Sequence, residues 1–157
     1  MVLLMAIGSS ILGAFFWGLA VDSIGPKRTL NLVLSLWIIV LIGLAAVPLL
    51  GLSDTILWVN ACLAGIAMGG IWCADRPYLL RLVPPEHIGE FFGAYTIVGR
   101  FASVIGPLLW IMIADTLDLG RPIAVLTLII FIVISYVTLQ GVDDKPRTWT
   151  LNSSNAQ

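Results

Sequence analysis

Gly65–Trp110 reads GIAMGGIWCADRPYLLRLVPPEHIGEFFGAYTIVGRFASVIGPLLW. Two long apolar runs flank a polar turn at Pro84, Pro85, Glu86 and His87. Runs of this length predict two membrane-crossing helices folded back on each other as a hairpin. Both carry charge where a lipid-facing helix has none: Asp75 and Arg76 on the first, Arg100 on the second. Asp75 lies twelve residues before His87 and Arg100 thirteen after it, which sets them at about the same height in an antiparallel hairpin. An unpaired charge at the bilayer centre costs roughly 2.5–3.5 kcal/mol or more. The expectation is therefore an ionic cluster of Asp75, Arg76 and Arg100 in the inner leaflet, serving as an inner gate or as coupling charges. The plainer alternatives are a snorkelling Arg100 and a helix end at Asp75-Arg76, just before Pro77.

The rest of the chain is of the same kind. Of its 157 residues 59% are hydrophobic and only 11% charged, with mean hydropathy +1.03. A soluble domain carries about 25% charged residues, so a water-soluble fold is excluded. The net charge of −1 and the lack of any Lys/Arg-rich arm exclude a nucleic-acid partner. Spans of about 20 apolar residues occur at Val2–Val21, Thr29–Leu50, Thr55–Ala74, Phe91–Ala114 and Pro122–Gln140. Turn chemistry separates them at Gly25-Pro26, Gly51–Asp54, Pro84-Pro85 and Asp118–Pro122. The runs do not alternate as barrel strands would. The fold class is an all-α polytopic transmembrane bundle of five spanning helices, residues 1–141, with a disordered polar tail over 142–157.

No positively charged segment precedes the first span, so it reads as a true spanning helix rather than a signal peptide. Lys27, Arg28, Arg76, Arg81, Lys145 and Arg147 fall on one side of the membrane and only Arg121 on the other. The positive-inside rule makes the first side cytoplasmic, with Met1 outside and Gln157 inside. An odd number of spans starting outside suggests a truncated chain.

Small residues recur at helical spacing in three spans: Ala6, Ser10, Ala14 and Gly18; Ala61, Gly65 and Gly69; Ala102 and Gly106. Such stripes let helices approach closely in lipid. The first, third and fourth spans are thus expected inside an assembly, and the bulkier second and fifth against lipid. Gly106-Pro107 predicts a kink in the fourth.

Other polar groups invite little chemistry. Cys62 and Cys73 share one span, roughly 16 Å apart, too far for a disulfide. His87 is alone, without a second histidine or a cysteine at ligand spacing, so no metal and no cofactor is expected. Asp115 and Asp118 read as a helix end with its turn. With no nucleophile motif and no phosphate-binding glycine loop, an enzyme is not expected. Asn60, Trp72 and Tyr95 are polar-capable residues within apolar spans and are cavity candidates, the alternative being core packing or an interfacial belt.

The first connection, Gly18–Leu30, reads GLAVDSIGPKRTL. It resembles the loop signature of the major facilitator superfamily, G-x-L-A-D-R-x-G-R-K-x. Gly18, Asp22, Gly25 and Lys27 match, followed by Arg28, while Ser23 and Pro26 stand where that pattern is usually basic. GG-x-W-x-x-x-R-P-Y-x-x-R-L-x-P (69–84) and E-F-F-G-x-Y-x-x-x-G-R-F-A-S-V-x-G-P-L-L-W (90–110) are similar to one branch of it, the autophagy-related vacuole effluxer-like transporters and their bacterial relatives. The resemblance covers residues 1 to about 140. It implies that these are helices eight to twelve of a twelve-helix transporter. The tenth helix would line the central cavity, the eighth and eleventh would meet the other half, and the ninth and twelfth would lie outside. Asp22 would dock a helix of the other half in one state and release it in the next. The implied function is secondary transport of a small solute, such as amino acids or similar metabolites, by alternating access in a bacterial inner membrane. Its partners would be the lipid bilayer, the remaining helices and the solute. The competing reading is a non-transporting assembly subunit or pseudo-transporter.

Overall fold

The computed structural model describes residues 1–51, 53–116 and 121–143. Five helices follow in order: α1 (Val2–Ile24), α2 (Pro26–Leu50), α3 (Asp54–Leu82), α4 (Ile88–Ile111) and α5 (Arg121–Gln140). All five are long and apolar enough to cross a membrane. The chain is an integral membrane protein. A single 3₁₀ turn, Pro85–His87, leads into α4, whose end widens into a π-helical turn at Met112–Thr116. The connection over 117–120 and most of the tail, 144–157, lie outside the described residues.

The breaks follow local chemistry. Gly25 takes φ 87°, a conformation that costs glycine little, and its N–H bonds back to Val21 O. Pro26 then opens α2 at the first helical position, where the missing N–H has no cost. Gly51 closes α2 in the left-handed conformation with φ 59°. Val83, extended ahead of Pro84-Pro85, ends α3. Pro77 does not. The helix runs through it to Leu82, so Asp75 and Arg76 are interior residues and not a helix end.

α1 and α3 share the most extensive interface. Gly13, Gly65 and Gly69 form its seam: a Cβ at Gly13 would lie 2.6 Å from Ile66 Cα, and one at Gly65 or Gly69 would overlap the carbonyl of Ala6 or Ser10. Trp17 Nε1 donates to Ile66 O at 3.1 Å and Cys73 Sγ to Ala14 O at 3.2 Å across it. The small-residue stripes of the first and third spans thus face each other, except Gly18, which has nothing within 4 Å.

The second span keeps an exposed apolar side, with Leu32, Ile39 and Ile42, but its other side is covered. α2 packs on α1, α3 and α5 and holds the largest fully buried side chains, Val33, Thr29 and Pro26. Leu41 and Ala45 form a core with Val125 of α5, covered by Trp37 and Trp110. Bulk therefore marks a knob as readily as a lipid face. α4 differs the other way: none of its residues is buried, and Gly93, Gly99 and Gly106 have nothing within 4 Å. A small-residue stripe permits close packing without supplying the partner. Trp110 reaches the α2–α5 core from one end of α4.

Candidate functional site

α3 is 29 residues long, about 43 Å, which matches a hydrocarbon core plus its headgroup layers. Asp75 lies seven residues before its last residue, Leu82, and so about 10 Å from that end, just inside the hydrocarbon boundary. Charge there needs a partner.

That partner is Tyr95. Its hydroxyl donates to Asp75 Oδ2, bridging α3 and α4. No ion pair joins Asp75, Arg76 and Arg100; in the connecting turn His87 Nδ1 and Glu90 Oε2 stand 3.3 Å apart, an ion pair when His87 is protonated. The direct Asp75–Arg100 contact expected from the hairpin count is therefore not made. The count took His87 as the fold-back point, whereas the Asp75–Tyr95 contact centres the hairpin on Pro85. Arg100 lies five residues beyond Tyr95, about 7.5 Å deeper and roughly 140° around α4. Arg76 and Arg100 are exposed on the described bundle.

Ile71, Trp72, Asp75, Arg76 and Tyr95 line a recess of about 180 Å³ between α3 and α4. Trp72, 66% exposed, also borders a larger apolar recess of about 400 Å³ beside α1, with Ser10, Met68 and Gly69. Met68, Trp72 and Arg76 recur every four residues, so one face of α3 carries an apolar, an aromatic and then a charged group. Asp75 borders a third recess as well, about 490 Å³, reaching Leu34 on α2 and Ser135 on α5. A carboxylate shared by two recesses can be approached from both sides of α3.

Of the three cavity candidates, Trp72 and Tyr95 are brought together with Asp75. Asn60 is not. It is 8% exposed, and its Nδ2 donates to Val40 O at 3.1 Å, joining α3 to α2. Gly43 makes room for it, since a Cβ there would lie 2.8 Å from Asn60 Oδ1. Asn60 is interhelical glue, the packing alternative.

The signature loop lies at the end of the bundle nearer Asp75. Asp22 and Arg28 are exposed, and Asp22 has no hydrogen-bond or ion-pair partner among the described residues. Arg81 lies over the turn, with Nη1 3.4 Å from where a Gly25 Cβ would stand. Lys27 reaches the end of α5, donating to Val142 O, and Gln140 Nε2 donates to Asn31 Oδ1. Sequence reading missed Asn31, Gln140 and Trp17. The only available signal was polarity at positions otherwise apolar.

The family model described as Major Facilitator Superfamily matches residues 1–156. The chain belongs to the Major Facilitator Superfamily. Its five helices are a part of that superfamily's helical bundle. It is 43% identical over 91 residues to the uncharacterized MFS-type transporter YxiO of Bacillus subtilis (strain 168), covering 58% of this chain and 21% of that one. It is 26% identical over 117 residues to Autophagy-related protein 22 of Kluyveromyces lactis, covering 68% of this chain and 24% of that one. The matched region thus spans about a fifth to a quarter of these relatives' length. No solved structure matches the chain.

Proposed function

We propose that the chain forms helices eight to twelve of a secondary transporter that moves a small solute by alternating access. Such folds bind their solute near the midplane, between two halves that rock about it. The observation that carries this reading is the Asp75–Tyr95 hydrogen bond: a membrane-embedded carboxylate held between α3 and α4 by a neutral donor rather than a cation. A neutral clasp can be exchanged for a solute group at lower cost than a buried ion pair, whose separation strands two charges.

In this arrangement Trp72, Arg76 and Tyr95 border the solute path, and Asp75 with Tyr95 forms a contact broken when the cavity opens. Arg76 and Arg100 supply positive charge to the solute or to the other half. A solute bearing a carboxylate suits those guanidiniums, in keeping with amino acids or similar metabolites. Asp22, near the C-terminal end of α1, opposes its own helix dipole and would gain by facing a helix N-terminus of the other half. The signature-loop end is assigned to the cytoplasm, with Met1 outside, in a bacterial inner membrane.

The test is reconstitution of the full-length protein in liposomes with a panel of labelled small metabolites. Uptake of at least one solute, lost in Arg100→Ala with insertion intact, is the expected result. Normal transport by Arg100→Ala removes that residue from the path. No uptake of any solute would favour the assembly-subunit reading.

A further inference from the structure

Lys27 is poorly placed on its own helix. It is the second residue of α2, and a helix N-terminus favours anions over cations. Its side chain instead crosses to the far end of α5. The ammonium donates to the carbonyls of Val142 at 2.5 Å and Gln140 at 3.5 Å. Carbonyls at a helix C-terminus lack intrahelical donors and favour a cation. One turn along α2, Asn31 Oδ1 accepts from Gln140 Nε2 at 2.9 Å. Two side chains on one face of α2 therefore hold one short segment, Gln140–Val142, more than a hundred residues away in the chain.

That segment is also a wall. Leu139 and Val142 border the 490 Å³ recess that Asp75 shares with Leu34. Gly141, between the two carbonyls that Lys27 holds, leaves this stretch of backbone pliable.

We propose that Lys27 is a latch: it pins the end of α5 over the recess that leads to Asp75, and its release opens that recess to the adjoining aqueous phase. The three N–H donors of the ammonium rotate freely between the two carbonyls, so the contact is remade without a rotamer search. Asn31 keeps the segment in register while the latch is open. This role is separate from the transport reading, since it concerns water access to the recess whatever the transporter carries.

The experiment uses the full chain in membranes, with Cys62 and Cys73 replaced by serine. A Leu34→Cys reporter on the recess wall is labelled with a water-soluble maleimide. Adding Lys27→Met should raise its labelling rate about tenfold, because a hydrogen bond from a charged donor is lost. Lys27→Arg, which keeps charge and donors, should return the rate to near that of the parent. Labelling of Thr96→Cys, on α4, should not respond. If Lys27→Met fails to insert, Lys27→Gln, which keeps N–H donors but loses the charge, carries the test, with a rise of about threefold expected. Rates at Leu34→Cys that are unchanged by the variant overturn the latch, as does an equal rise at Thr96→Cys.

Discussion

Replacing Gly13 with alanine adds one methyl group to the tightest seam in the molecule. Its Cβ would stand 2.6 Å from Ile66 Cα and 2.8 Å from Ile66 O. Ordinary carbon contacts lie at about 3.5–4.0 Å, so α1 and α3 must part by roughly 1 Å. A gap of that size forfeits about a quarter to a half of each contact's ~0.1–0.2 kcal/mol. The seam runs from Ala6 to Trp17. With about forty atom pairs across those three turns, the loss is about 2–3 kcal/mol. Stretching the Trp17–Ile66 hydrogen bond adds about 0.6 kcal/mol. Against this, alanine gains about 1 kcal/mol in helix propensity over glycine. The overlap wins, and Gly13→Ala should be destabilised by about 2 kcal/mol. Gly99 is the control: it is helical with nothing within 4 Å, so Gly99→Ala keeps the propensity gain alone. Reversible unfolding in mixed detergent–SDS micelles gives both numbers. A Gly13→Ala protein as stable as Gly99→Ala would refute the close seam and the arrangement of α1 on α3.

Three further expectations concern other contacts. Tyr95→Phe and Asp75→Asn should each weaken the α3–α4 contact, and the double variant should fall short of the summed effect by about 1 kcal/mol or more, measured as a double-mutant cycle on unfolding; strict additivity would mean the hydrogen bond is energetically idle. Asn60→Ala should cost about 0.6–1.7 kcal/mol, the range found for interhelical polar contacts in membranes, and a change within error would show that Val40 O is satisfied without it. Cysteines placed at Lys27 and Arg121 should react with impermeant reagents from opposite sides of the membrane; labelling from one side would overturn the topology.

Much of this was legible in the sequence because it is local. Span length, Gly25-Pro26, Pro84-Pro85 and the α3 side of the seam, Gly65 and Gly69, each follow from a few neighbouring residues, whereas Gly13 falls outside the small-residue stripe of α1. The Asp75–Tyr95 pairing was half visible: both residues stood out, but the hairpin register turned on how Val83–His87 fold, and counting from His87 rather than Pro85 moved the partner to Arg100. The burial of α2 was not legible. Val33, Leu41 and Ala45 look as greasy as any lipid-facing residue, and in a bilayer hydrophobicity does not separate core from surface. Lys27 reaching the end of α5 joins residues more than a hundred apart, and no local pattern encodes such a meeting.

Gly70 is a mechanical junction. A Cβ there would overlap the Val33 side chain and lie 2.9 Å from the Trp17 indole. Three rods touch at this one point with no slack, so none can slide without dragging the others. α1, α2 and α3 must travel as a single block. α4 stands outside that junction, meeting α3 through Tyr95 and the α2–α5 core through Trp110.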